Sequence, residues 1–440
     1  MTHEQFIVLF YQQWFPDYVW AFLFSAILFV PIFRNKVNCI FDSLFYVLVF
    51  SVFNTACLFF LYFLEFIELS VLVFFLCSTL LPWCLILFFL PARRGFDQVE
   101  DRNEAHPFYF YLYIILTIID IVCYTIIYIK LGIPLFQQSR QDFLLESGFM
   151  RLFYRITPAL TLYIVLYSYH LIWRLKRNRI LAYSTLFLIA ANSLLGGSKG
   201  AFFTVIVFPV FFYYVWYLDR AISKKMLVKG LALGGIFAVF VIFAIHRGSF
   251  ADSLLRLFLR FVQAGDIYYM SLPNNMLCEI EYSSPWEHLF RPIISIATMS
   301  KGEVLPYGVM LLDVLVPGYL DSGGAIFGPN GHFDVYLYSM FGPRSIIGSC
   351  LFSFVVLKLL YCKWLSHRKS LLHLFFKSSL YLLACTGIND LPLMIMNFTN
   401  LLLALPFFLL AMFLAKMLVD FGPLRNETYH LNIQTKKDLQ

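Results

Sequence analysis

Charge is what this chain most lacks. Of its 440 residues only 13% are Asp, Glu, Lys or Arg, against 60% hydrophobic, and its mean hydropathy is +0.76. A soluble domain of this length cannot bury so much apolar surface, so a soluble globular enzyme is excluded and a polytopic membrane protein is left. Nucleotide and metal signatures are missing too. There is no Walker-type or Rossmann-type glycine pattern, no H-E-x-x-H and no G-x-S-x-G. Nine cysteines show neither metal-ligand spacing nor a disulfide framework; eight fall in or beside apolar runs, and only Cys278 lies well inside a polar connection. No structural metal and no cofactor is expected. The first residues lack the basic region and small-residue cleavage site of a leader, so none is expected.

Apolar runs are what the chain has instead. A crossing needs roughly 20 apolar residues, and windows of that size fall near 17–33, 40–63, 71–91, 108–130, 149–173, 180–197, 200–218, 227–246, 334–361, 371–388 and 399–418. The expected fold is therefore all-α, with about 11 transmembrane helices. Alternate connections carry the bases: Arg34 and Lys36; Arg93, Arg94 and Arg102; Arg174, Lys176, Arg177 and Arg179; Arg220, Lys224, Lys225 and Lys229; Lys363, Arg368 and Lys369; then Lys416 and Arg425. By the positive-inside rule these ends are cytoplasmic. The N-terminus is then outside and the C-terminus inside, and the two long connections, 131–148 and 247–333, lie on the outer face. The expected organisation is a transmembrane bundle of about eight helices over 1–246, a large outer loop over 247–333, C-terminal transmembrane helices over 334–419 and a cytoplasmic tail over 420–440. The cytoplasmic loops are too short to hold a nucleotide domain.

Function is therefore sought on the outer face. The loop over 247–333 is far longer than a connector requires, and its start, "HRGSFADSLLRLFLRFVQAGDIYYMSLPN", places Leu254, Leu257, Phe258 and Phe261 on one helical face with Arg256 and Arg260 together on another. That pattern predicts an amphipathic helix at the outer interface. A similar pair, Arg151 and Arg155, opens the fifth crossing in "RLFYR". With Arg247 and Arg291 these bases collect on a face that the positive-inside rule disfavours. They read as a site for an anionic ligand, or as side chains that snorkel to lipid headgroups.

Two motifs carry chemistry. In "LLGGSKGAFF", Ser198 and Lys199 sit at the tip of a hairpin of two apolar helices. Flanking glycines leave backbone N–H groups unobstructed at a helix start, which suits a phosphate; a plain turn with one solubilising lysine is the alternative. In "GGAIFGPNGHFDVYLYSMFG", a polar loop delivers His332 and Asp334 to the outer end of an apolar helix, where each is a candidate general base or merely a helix cap. Asp266 in "QAGDIYY" is a further acid, with Tyr268 and Tyr269 beside it as surface for stacking on sugar rings.

The hairpin "GGSKGAFFTVIVFPVFFYY", the large outer loop and "GPNGHFDVYLYSMFGPRSIIG" together resemble the O-antigen polymerases, the oligosaccharide repeat-unit polymerases of the Wzy class. The last motif is also similar to O-antigen ligases, with Phe333 standing where that pattern often has Asn. The resemblance spans most of the chain from about residue 131 onward. It implies a metal-independent glycosyltransferase with a GT-C-like helical fold in the bacterial inner membrane, working at the periplasmic face. Undecaprenyl-pyrophosphate-linked glycans would be the substrates, and membrane lipids and a chain-length regulator the other partners. His332 would be the base, with Asp334 and Asp266 behind it. Lys199, Ser198, Arg247, Arg256, Arg260, Arg291, Arg151 and Arg155 would face the lipid pyrophosphate. A flippase of lipid-linked oligosaccharides, which should show ionisable residues near helix midpoints and internal repeats, and a membrane O-acyltransferase are the rival expectations.

Overall fold

A computed structural model of the chain describes residues 1–89, 106–136, 151–196, 202–246, 249–280, 282, 284–297, 307–319, 328–361 and 370–421. Among these residues the fold is entirely helical, with no strand. After a short α1 (His3–Val8), the helices are α2 (Phe15–Phe33), α3 (Ser43–Phe63), α4 (Leu69–Phe89), α5 (Pro107–Leu131), α6 (Arg151–His170), α7 (Arg179–Leu195), α8 (Phe203–Tyr217) and α9 (Lys224–His246). Then come α10 (Phe250–Val262), α11 (Asp266–Ser271), α12 (Pro285–Ala297) and α13 (Tyr307–Leu315), followed by α14 (Phe333–Phe341), α15 (Ser345–Leu360), α16 (Leu371–Asn389) and α17 (Leu391–Phe421).

Nine helical stretches among the described residues are long and apolar enough to cross a membrane by length and composition, one of them, Phe333–Leu360, being broken within by a turn. The chain is thus an all-α, multi-pass membrane protein. The eleven expected windows all coincide with helices, but α7 and α8 are shorter than a full span. Side-chain hydroxyls and carboxylates join the helices where apolar packing alone gives no register. Ser25 donates to the Val52 carbonyl (2.7 Å), Thr161 to Asp120 (3.2 Å) and Tyr113 to Thr185 (2.8 Å). Asp42 caps α3 by accepting from the Leu44 amide and ties it to α16 by accepting from Tyr381 (2.7 Å).

Two expectations are corrected. The window 334–361 is not one crossing but a helical hairpin. Gly342 adopts φ +59°, a short 3₁₀ turn runs over Gly342–Arg344, and α15 folds back along α14, so the rings of Phe333 and Phe352 lie 4.9 Å apart. In a straight helix they would be about 28 Å apart. Pro343 and the left-handed glycine cause the break, because neither continues a helix. The last span is also longer than expected. It starts at Leu391, directly after α16, and not near residue 399.

The expected amphipathic helix exists as α10, capped reciprocally by Ser249 and Asp252. Leu257 and Phe261 turn inward, with Phe261 against Phe50 and Phe53 of α3. Leu254 departs from the expected face, being exposed while Ser253 is buried. From the end of α10 the chain turns into α11, which is wholly buried, with Tyr269 stacked on Phe6 at 4.0 Å.

The hairpin turn generates a stability test. Gly342→Ala adds a Cβ that meets nothing within 4 Å, so its effect is backbone strain alone, roughly 1–3 kcal/mol. Gly235→Ala also meets open space, but inside α9, where alanine gains up to about 1 kcal/mol. Thermal unfolding in detergent should show a lower Tm for the first and an equal or higher Tm for the second.

Candidate functional site

The site is built where α4, α11, α14 and the α16–α17 junction meet. The loop 328–332 enters the bundle and starts α14, whose first turn carries Asp334. Its path is fixed by backbone contacts: the Leu391 amide donates to the Gly331 carbonyl (3.0 Å) and the His332 amide to the Asn330 carbonyl (2.9 Å). Gly331 lies against Pro392, and a Cβ there would come within 2.9 Å of the proline ring, so only glycine fits this approach.

Asp334 is 1% exposed yet fully provided with donors. Oδ2 accepts from Thr79 (2.8 Å) and Tyr268 (2.8 Å), and Oδ1 from the Val335 amide (2.7 Å) and from His332 Nδ1 (2.5 Å). Thr79 is the eleventh of the 21 residues of α4, so the carboxylate sits halfway along a membrane-length helix. Tyr338 packs on Phe74 and Phe75, which shows that α14 runs antiparallel to α4 from that point. His332 and Asp334 were expected at the outer end of a long helix; they lie inside the bundle, at the buried start of a short one.

This geometry places one ring proton. The Tyr268 proton is committed to Asp334 and the ionised carboxylate only accepts, so Nδ1 carries a proton. Nε2 has no hydrogen-bond partner among the described residues, and the side chain is 2% exposed. A carboxylate behind Nδ1 holds the tautomer and stabilises the imidazolium that forms when Nε2 takes a proton. His332 also makes no side-chain cap for α14, so the capping alternative fails for it.

Asp266 belongs to the same neighbourhood but not to the same network. It accepts from its neighbour's amide, Ile267 (2.9 Å), and from the Asn330 amide, and it faces Arg260 at 3.6 Å. Burial pushes its carboxyl up to about 6, against the opposing pull of Arg260. Tyr268 and Tyr269, expected to offer surface for stacking on sugar rings, are instead engaged within the fold: both rings are no more than 1% exposed, one bonded to Asp334 and the other stacked on Phe6.

The remaining expected residues divide. Arg256 and Arg260 lie exposed on α10. Arg155 donates to the Pro292 carbonyl (3.4 Å), joining α6 to α12, and the half-buried Arg291 stands on α12 next to His288, whose pKa falls to about 4 through burial and then this guanidinium. Ser198, Lys199, Arg247 and the Arg151 side chain lie outside what the structure describes. No group of three or more His, Cys, Asp or Glu suited to a metal occurs among the described residues. Thr79 is the functional residue that sequence reading missed, since a threonine within "FLCSTLLPW" carries no signal of a partner 255 residues away. No protein-family model, curated protein or solved structure matches the chain.

Two outcomes follow from this geometry. Thr79→Val removes one donor from a buried carboxylate at nearly constant volume, a loss of roughly 1.5–3 kcal/mol, and Tyr268→Phe removes another. Each should lower the Tm, and the double variant should lose more than the sum, because each donor partly compensates for the other at one shared oxygen. The second concerns pH. With its folded-state pKa raised to about 6 above the ordinary 3.8, Asp266 binds its proton more tightly in the folded chain. Ionising it therefore carries a stability penalty, which is absent below about pH 4 and fully developed above about pH 6. Asp266→Asn should raise the Tm at pH 7.5 and leave it little changed at pH 4.

Proposed function

We propose that this chain is a membrane glycosyltransferase that polymerises undecaprenyl-pyrophosphate-linked oligosaccharide repeat units into an O-antigen-type polysaccharide. It works at the periplasmic face of a bacterial inner membrane, with a GT-C-like fold. The observation that carries this reading is the buried His332–Asp334 pair, with Nε2 unpartnered among the described residues and cationic side chains of α10 nearby.

The chemistry needs few parts. His332 Nε2 takes the proton of an acceptor sugar hydroxyl while that oxygen bonds to the anomeric carbon of the donor. The anomeric carbon–oxygen bond to the lipid pyrophosphate breaks at the same centre, and the pyrophosphate leaves as an anion that needs cations and no proton. Arg256 and Arg260, with Lys199 and Arg247, are assigned to that anion, and Arg155 and Arg291 to the substrate path beside α12. Asp334 does not react; it holds the ring. The positive-inside pattern supports the outward orientation, and the absence of a nucleotide motif fits a donor already activated by its lipid pyrophosphate. A chain-length regulator is the expected protein partner.

A second reading, export of the same lipid-linked oligosaccharide, is favoured by one observation. A titratable pair lies halfway along α4 beside a broken helix, an arrangement that transporters also use. The surface-glycan ladder separates the two. In a deletion strain carrying His332→Ala at normal membrane abundance, the polymerase reading gives single-unit caps, and the export reading gives no surface glycan. Under the first reading Lys199→Arg keeps partial activity, and Lys199→Gln loses on the order of 100- to 1000-fold in rate, the scale of one preorganised donor at a developing charge. Full-length chains from His332→Ala would remove this histidine as the base.

A further inference from the structure

The pairing of Arg260 with Asp266 joins two side chains of opposite accessibility. Asp266 is 8% exposed and its Oδ1 is held by the Ile267 amide, whereas nearly half of Arg260, 47%, remains accessible. Their 3.6 Å separation exceeds the roughly 2.7–2.9 Å of a charge-assisted hydrogen bond. The guanidinium balances the carboxylate without being locked to it. Arg256 lies one turn earlier on α10, also exposed, and residues four apart share a helix face. Asp266 in turn accepts from the Asn330 amide, two residues before His332.

We propose that Arg260 is a charge latch: unliganded, it neutralises Asp266; when a phosphate-type anion reaches Arg256 and Arg260, the guanidinium moves to that anion and Asp266 takes up a proton from solvent. Anion binding is thereby coupled to protonation of the carboxyl that braces the loop carrying His332. The coupling rests on the reading that the substrate presents a pyrophosphate. It changes the role of Asp266 from reserve base to counter-ion.

Once Arg260 leaves, the Ile267 and Asn330 amides still favour the ionised carboxylate, but burial opposes them and outweighs them. Asp390, at the α16–α17 junction, is a second acid, pushed up to about 7 by burial first, and its proximity disfavours ionising both carboxyls; the buried Cys57 thiol and Tyr269 hydroxyl offer no compensating positive charge. His332 is the other nearby titratable group, and its ring proton is committed to Asp334. With Arg260 in place burial already raises the Asp266 carboxyl to about 6, so withdrawing the cation raises it further. The proton adds to Oδ2, the oxygen that Arg260 faces, and no other bond changes.

The test is calorimetric titration of inorganic pyrophosphate into the full chain in phosphatidylcholine nanodiscs near pH 7, in two buffers of different ionisation enthalpy. Proton uptake per bound anion in the wild type should exceed that of Asp266→Asn by a resolvable fraction of a proton, the ligand's own titration being common to both. Asp266→Asn should also bind up to about fivefold more tightly, the scale of a partly exposed ion pair that no longer competes. Arg260→Gln should weaken binding by roughly tenfold or more. Equal proton uptake, weaker binding by Asp266→Asn, or unchanged binding by Arg260→Gln would each overturn the latch. Repetition in nanodiscs containing phosphatidylglycerol separates ligand sources: the pyrophosphate response should persist, and its loss there would assign Arg256 and Arg260 to ordinary lipid headgroups. Glycosyl transfer fails on different evidence, the glycan ladder of His332→Ala, and this titration requires no transfer.

Discussion

A carboxylate placed inside an apolar bundle imposes the strictest requirement in this molecule. Removing Asp334 from water costs several kcal/mol unless hydrogen bonds replace the lost hydration. Four donors do so, and they come from α4, from α11, from the first turn of α14 and from His332. No two neighbouring elements could supply them. The breaks in the helical pattern all serve this convergence: the polar loop that enters the bundle, the short buried α11, and the junction of α16 and α17 that grips the Gly331 carbonyl.

The enclosure that makes the carboxylate costly also makes it effective. In a low-dielectric setting its hold on the imidazole is stronger than in water, and Thr79 and Tyr268 prevent it from rotating away. The cations are distributed differently. Arg256 and Arg260 remain at the accessible edge, where an anion can reach them. On the proposed reading the interior handles the proton and the rim handles the charge, with Asp266 touching both through Arg260 and Asn330.

The membrane helices were legible because a crossing leaves a signal some twenty residues long that needs no partner. Long-range pairing leaves none. Thr79 reads as one more small residue in an apolar run, and Tyr268 reads as a surface aromatic beside an acid; only their convergence on Asp334 gives them a role. His332 and Asp334 were recoverable because a histidine and an aspartate two apart after a Gly-Pro-Asn-Gly loop are out of place before an apolar helix. The hairpin at Gly342 has a signal in "FGPR", but apolar runs on both sides make one long crossing the simpler reading of the sequence. Arg260 and Asp266, six apart, straddle a helix end, and no periodicity rule relates residues across such a turn.

The nine-residue α14 also bears on how the protein is made. At about 14 Å it is half the thickness of the hydrocarbon layer, and it carries a carboxylate at its start. A segment like this cannot partition into a bilayer on its own, so it enters only once α4 and α11 present the hydroxyls that receive it. The last pieces to settle are then the ones that assemble His332 and Asp334. A chain inserted in the wrong order would keep its spans and lack its acid–base pair.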